Sequence, residues 1–229
     1  MVGSLCVIPA RGGSKRIPSK NIYDYFGKPM IAWAIDAALA ANIFDDVIVS
    51  TDDEQIAQIS KSYGAKVPFL RNNYADDLSP VSQATIDCLN IYENITNRKY
   101  GMTVQIMINC PNRRAKDILY IVTKHIENQH NFTISSTNYS FLNPWWARRK
   151  VDASWIPLFP SEIEKRSQDL PELQCPNGAI WVANSNNLKA SGTFYGPDYQ
   201  LVEIPLSSGV DIDDYGDLTL AKQLRKNGT

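Results

Sequence analysis

The chain has two histidines among 229 residues, four cysteines with no CxxC pair, and no stretch that approaches 18 consecutive apolar residues. Each shortage removes a class of function. Zinc centres built on several imidazoles and Ser-His-Asp hydrolases need a histidine in a suitable setting. His125 falls among Ile118, Ile121, Val122 and Ile126 at the spacing of a buried helical stripe, and His130 falls in a polar helix end. Cys6, Cys88, Cys110 and Cys175 carry no zinc or redox spacing and read as free thiols, which suits a reducing cytoplasm. The opening MVGSLCVIPARGG has only a short apolar run with no basic region before it, so neither a signal peptide nor a membrane span is expected. Excess charge is missing too. With 23 Lys+Arg against 24 Asp+Glu the net charge is -1, which lacks the basic footprint of a general nucleic-acid binder.

What remains is an ordinary globular composition, 44% hydrophobic and 21% charged. A chain of this length hides roughly 70% of the surface it exposes when unfolded, enough for one domain over 1–229 without disulfide or metal staples. Leu5-Cys6-Val7-Ile8 is a short unbroken apolar run followed by Pro9, Gly12 and Gly13, the pattern of a strand buried on both faces that ends in a glycine-rich loop. Pro29 then opens a helix with Ile31, Ala34, Ile35, Ala38 and Leu39 on one face. Asp46 to Ser50 reads as a strand. Asp52 is placed to cap a helix that Gly64 ends, and Lys66 to Leu70 reads as a short strand. A helix from Ser79-Pro80 to about 95, a strand from Thr103 to Ile108 and a helix over 115–129 continue the alternation. Such alternation predicts an α/β fold with a mainly parallel sheet between helices and ligands outside the carboxyl ends of the strands. From Phe132 the rhythm breaks: the strand Thr133–Ser136 gives way to Asn143-Pro144-Trp145-Trp146, Arg148-Arg149-Lys150 and a Pro-rich stretch. The insertion over 137–170 is too long and aromatic for a linker and reads as a lid or dimerisation arm. Strands at 178–183 and Val210–Asp213 and a last helix close the chain.

The densest signal is Pro9-Ala10-Arg11-Gly12-Gly13-Ser14-Lys15-Arg16-Ile17-Pro18-Ser19-Lys20-Asn21, with two glycines and four Lys or Arg just past a buried strand. Glycines let backbone N–H groups approach a polyanion and the cations neutralise it, so phosphate binding is the reading, against a merely solvated basic turn. The loop is neither a GxxxxGK[ST] nor a GxGxxG pattern, which sets aside the common ATPase and dehydrogenase loops. It resembles the signature loop of the CMP-sialic acid synthetases, the acylneuraminate cytidylyltransferases. Val49-Ser-Thr-Asp52, Phe69-Leu-Arg71, Pro176-Asn-Gly-Ala-Ile-Trp181 and Val210-Asp-Ile-Asp213 follow in the same family's order.

That resemblance implies a Rossmann-like nucleotidyltransferase fold. It also implies CTP and a nine-carbon (nonulosonic) sugar acid as substrates, CMP-sugar and pyrophosphate as products, Mg2+ as cofactor, and a homodimer joined through the arm. Carried over by position, Arg11, Gly12, Gly13, Ser14, Lys15, Lys20, Asn21 and Arg71 would face the nucleotide, with Arg11, Lys20 and Asp211 in the chemistry. Arg71 taken alone would pass for a surface salt bridge. Asp211 and Asp213 alternate about Ile212, so both carboxylates share a face and suit magnesium, which takes one or two carboxylates plus phosphate oxygens; the competing reading is that they cap the last helix. For the sugar the family positions are Asn177, Trp181, Phe194 and Tyr195, and Arg166 is the candidate cation for its carboxylate. Phe194 and Tyr195 taken singly fit ordinary packing equally well.

Three departures fall on the sugar or arm side. Where the family commonly reads LQPTSPLR this chain reads Ile106-Met107-Ile108-Asn109-Cys110-Pro111-Asn112-Arg113, so a glutamine is replaced by Met107. Trp146 stands in an arm where His-Pro and a lysine are usual, and Cys175 replaces an arginine. The expectation is retained CTP chemistry with an altered acceptor of legionaminate or pseudaminate type. The alternatives are a transferase for another acid such as the eight-carbon Kdo, or a non-catalytic nucleotide-binding paralogue.

Overall fold

Leu5, Cys6, Val7 and Ile8 send side chains to alternate faces of one strand and all four are buried, so both faces of that strand must be covered. In the computed structural model, which describes residues 3–74, 79–140 and 142–227, they form β1 (Gly3–Pro9). A loop leads to the small hairpin β2 (Asp24–Tyr25) and β3 (Lys28–Pro29). Then come α1 (Met30–Ala41), β4 (Asp46–Ser50), α2 (Glu54–Ser62), α3 (Val81–Thr96), β5 (Tyr100–Ile106), α4 (Ala115–Glu127) and β6 (Phe132–Asn138). A protruding hairpin of β7 (Arg148–Val151) and β8 (Ser154–Pro157) precedes β9 (Gln174–Asn184), α5 (Ser185–Ser191), β10 (Gln200–Glu203), α6 (Leu206–Gly209) and α7 (Tyr215–Asn227).

The central sheet has the order β10-β6-β9-β5-β1-β4. β1 runs parallel to β4 and β5, and β10 parallel to β6, while β9 runs antiparallel to both its neighbours. The α/β class with a mainly parallel sheet therefore holds, with one reversed strand where the chain returns from the protruding hairpin. Cys6 and Ile8 pack with α1 and α4 residues such as Ile35 and Ile118 on one face; Leu5 and Val7 pack with Cys88 and Leu89 of α3 on the other.

Several local expectations are corrected. Lys66–Leu70 makes only an isolated bridge to Ile48, because Pro68 has no N–H to carry a ladder onward. The cap of α2 is Asp53, whose Oδ1 accepts from Ile56 N–H at 2.9 Å; Asp52 is used elsewhere. Leu39 lies exposed, at the outer edge of its helix. Val210–Asp213 is not a strand: its backbone link to the sheet end is the bond from Ile212 N–H to Asn109 C=O at 2.8 Å, because it runs past the end of β5 instead of alongside it. His125 is buried against Thr133, and burial pushes its imidazole down to about 4, so it is a neutral packing residue. Among the described residues no helix is long and apolar enough to cross a membrane.

The inserted hairpin is exposed on both faces along most of its length. Trp145 anchors its base, donating from Nε1 to the Pro171 carbonyl at 2.9 Å and meeting the Phe159 ring edge-on at 4.8 Å. Trp155, 64% exposed, and Leu142, 68% exposed, leave apolar surface in water, more than a free-standing element retains without a reason.

Candidate active site

β1 ends at Pro9 and the chain enters the basic loop, which is pinned at several points. Ala10 N–H donates to Ser50 C=O at 2.9 Å, and Gly12 N–H to Asp52 Oδ1 at 3.0 Å. Asn21 Nδ2 donates back to the Arg11 carbonyl at 2.8 Å, and Ile17 is fully buried. A Cβ at Gly12 would lie 2.9 Å from Asp53 Oδ2 and 3.2 Å from Asp53 Cβ, so a larger residue would displace the side chain that caps α2. A Cβ at Gly13 would meet nothing within 4 Å, so space does not explain that glycine. The loop lines a cavity of about 450 Å3 with Arg11, Ser14, Lys15, Lys20 and Asn21, which Arg71, Met107, Asn109 and Asp213 also line. That volume suits a substrate-sized ligand.

The C-terminal aspartates reach the same place. Lys20 Nζ donates to the Ile212 carbonyl at 2.7 Å and lies 3.4 Å from Asp213 Oδ1, while Arg16 Nη2 is 2.8 Å from the same oxygen. The helix-capping reading of the pair fails on geometry. Asp214 Oδ1 accepts from Gly216 and Asp217 N–H, and Asp217 Oδ2 accepts from Asp213 and Asp214 N–H, so other carboxylates do the capping. Asp211 accepts from Asn109 Nδ2. Although Asp211 keeps contact with solvent, the protein behind it, followed by the Asp213 charge, raises its carboxyl to about 6.

No group of three or more His, Cys, Asp or Glu among the described residues forms a closed metal cage. The donors at this end of the cavity nevertheless fit a hard cation that completes its shell with phosphate. Asp211 and Asp213 are oxygen ligands, and Asn109 Oδ1 is buried with no hydrogen-bond partner.

Arg71 is buried, its backbone N–H held by Thr51 C=O at 2.7 Å and its Nε without a partner. Burial lowers its pKa, opposed by Asp52, and the like charge of Arg11 lowers it further. Two guanidinium groups near one another at a cavity wall call for an anion. Sequence reasoning missed three residues here: Arg16, which ties the loop to Asp213, Asn109, and Arg113. Arg113 is fully buried, with burial pushing it down to about 10, and its Nη1 donates to the carbonyls of Met107 at 2.8 Å and Ala179 at 3.1 Å. Its signal was the family pattern ending in Arg; nothing in local spacing marks it.

The sugar-side candidates are not brought to this cavity: Arg166, Asn177, Trp181, Phe194 and Tyr195 are absent from its lining. Arg166 lies exposed in the inserted segment, in a double contact with Asp169 at 2.8 and 3.2 Å. Asn177 is buried, its Oδ1 accepting from Ser135 Oγ at 2.6 Å, while Nδ2 has no partner. Trp181 pairs across the strands with Gln105, which places it on the same sheet face as Met107 two residues on. Its ring meets Phe194 and Tyr195 edge-on, and its Nε1 is buried without a partner. Tyr195 is half exposed. Phe194 is corrected to a core residue, fully buried among Ile86, Phe132, Ala183 and Leu188, because apolar neighbours enclose it on all sides. Phe194→Ala is accordingly expected to cost about 3–5 kcal/mol of stability, read as a lower urea midpoint, with substrate KM values little changed.

Residues 5–138 match the cytidylyltransferase family. The chain is 33% identical over 224 residues to a pseudaminic acid cytidylyltransferase of Campylobacter jejuni, covering 97% of this chain and 96% of that one. It is also 33% identical over 229 residues to the CMP-N,N'-diacetyllegionaminic acid synthase of Legionella pneumophila, covering 96% and 95%. An N-acylneuraminate cytidylyltransferase of Escherichia coli is 30% identical over 95% of this chain and 51% of its own length. Among solved structures, a CMP:2-keto-3-deoxy-manno-octonic acid synthetase complexed with CTP superposes with a TM-score of 0.72 at 18% identity, covering 99% of this chain and 100% of that one, a likeness of fold. With a loop of cations meeting paired carboxylates at one cavity and matches of this extent, the chain belongs to the cytidylyltransferase family.

Proposed function

We propose that the protein joins CTP to a nine-carbon sugar acid of pseudaminate or legionaminate type, giving the CMP-sugar and pyrophosphate. The observation that carries this reading is the convergence of Arg11, Lys20 and Arg71 with Asp213 on one cavity, with Asp211 beside it. Relatives from Campylobacter jejuni and Legionella pneumophila that match over nearly their whole length are named for those two acids, and the departures at Met107, Trp146 and Cys175 are consistent with an acceptor other than N-acetylneuraminate.

The reaction is an in-line displacement: the acid's anomeric oxygen bonds to the α-phosphorus of CTP, the bond to the bridging oxygen of pyrophosphate breaks, and the hydroxyl proton is released. Such a transfer needs alignment and charge neutralisation more than covalent help. Arg11, Lys15 and Lys20 would offset the triphosphate charge, the Gly12–Gly13 backbone and Ser14 would approach it closely, and Asn21 holds the loop shape through the Arg11 carbonyl. Magnesium held by Asp211 and Asp213 would clamp phosphate oxygens and lower the pKa of the attacking hydroxyl. The test is incubation with CTP, Mg2+ and a panel of eight- and nine-carbon keto acids, with pyrophosphate release as readout. Turnover restricted to the eight-carbon acid would replace the acceptor assigned here, and none with any acid would favour a nucleotide-binding role.

A homodimer formed through the arm, and a cytoplasmic setting, belong to the same proposal. The exposed Trp155 and Leu142 support the first, and the four free cysteines the second. Trp155→Glu is expected to turn a dimer into monomers in sedimentation velocity; a wild-type monomer at micromolar concentration would remove the arm interface.

A further inference from the structure

The cavity wall has an apolar stretch, formed by Val81 and Ala84 from the first turn of α3 and by Met107 and Ile108 just after β5. None of these side chains carries an N–H or O–H. Met107 is further committed by what lies behind it. Gln105 is fully buried; its Oε1 accepts from Thr85 Oγ1 at 2.7 Å, and its Nε2 reaches the Met107 sulfur at 3.5 Å. The one polar atom of the Met107 side chain is thus engaged by a buried amide. The backbone of Met107 is engaged as well: its carbonyl accepts from Arg113 Nη1 at 2.8 Å, and its N–H donates to the Ala179 carbonyl at 3.4 Å. A ligand meeting Met107 finds carbon held in a fixed position.

We propose that Met107 is a specificity-determining residue that selects an acceptor acid with a deoxygenated carbon or a methyl group at the position it touches, over the same acid with a hydroxyl there. The assignment rests on the cytidylyltransferase reading of this cavity. A hydroxyl pressed against Met107 gives up its water hydrogen bonds and finds no replacement, while a methyl or methylene gains dispersion contact with the polarisable thioether. An apolar wall of this kind separates a group from its hydroxylated counterpart by about 10- to 100-fold in kcat/KM.

The experiment uses the full-length enzyme with CTP and a nonulosonic acid, together with a set of its single-position deoxy analogues. Wild type is expected to prefer at least one deoxy analogue by about tenfold or more. Met107→Gln, which restores an amide to the wall, is expected to shrink or invert that ratio with the KM for CTP within about twofold of wild type. Met107→Leu, which keeps carbon at similar volume, is expected to preserve it. A flat ratio across all analogues in wild type overturns the assignment without needing any variant to fold. So does a Leu variant that levels the preference, or a Gln variant whose only change is weaker CTP binding, which would turn Met107 towards the nucleotide. Turnover with a flat ratio removes Met107 alone; failure of wild type to turn over any such acid removes the reading beneath it as well.

Discussion

Asp211→Asn is expected to lower kcat about 100- to 1,000-fold while CTP binding stays measurable by titration calorimetry. The substitution keeps size and shape and removes the charge. Asp211 accepts from Asn109 Nδ2, and an amide in its place can turn its oxygen to that donor, so the local fold has no reason to fail. What disappears is a carboxylate that burial and Asp213 hold at about 6. Two carboxylates held this close form a site that a divalent cation relieves, and this is the direction in which the pair would act on the substrate phosphates. The pH dependence follows with its sign. A raised carboxyl is protonated below about 6, so at low divalent concentration the wild-type rate falls by about tenfold per pH unit on the acid side of that value. Because cation and proton compete for the same oxygens, raising Mg2+ is expected to move the acid limb to lower pH. Near-normal turnover in Asp211→Asn, or an acid limb indifferent to magnesium, would remove the aspartate pair from the chemistry.

The parts of the site legible in sequence are those written in contiguous residues. Leu5 to Ile8 is apolar on both faces, so burial between helix layers was readable, and the loop after it could only open at a strand end. The resemblance points to Asp211 and Asp213 together, and Asp213 lines the cavity with Asp211 beside it, but the segment is not the expected strand: alternation about Ile212 is legible in sequence, while a ladder partner depends on what lies beside the chain. Asp52 and Asp53 show the same limit at smaller scale. Either can cap a helix by composition; the approach of Gly12 N–H, forty residues earlier, takes Asp52 and leaves the cap to Asp53. Phe194 was ambiguous because an aromatic residue looks the same in a wall and in a core, and only Phe132 and Leu188 packed against it decide. The supporting roles of Arg113 and Gln105 are not legible in local spacing, since their partners are backbone carbonyls, the Thr85 hydroxyl and a sulfur brought in by folding.

Arg71→Met is expected to raise the dissociation constant for CTP by about 100-fold. The buried guanidinium has an Nε with no partner, and burial with the like charge of Arg11 outweighs the opposing charge of Asp52, a cost that an arriving triphosphate recovers. Methionine fills much of the same volume without charge, and the backbone bond from Arg71 N–H to the Thr51 carbonyl does not depend on the side chain. The free variant should therefore melt no lower than wild type, and removal of an incompletely paired buried cation can raise its Tm. Ligand-linked stability should behave in the opposite way. CTP at 100 times its wild-type Kd adds about 2.7 kcal/mol to wild type, whereas a 100-fold weaker variant at the same concentration gains only about 0.4 kcal/mol. A pair of melting curves, with and without CTP, reads both effects. Loss of stability in the free variant would make Arg71 a structural residue, and an undiminished CTP shift would place the triphosphate away from it.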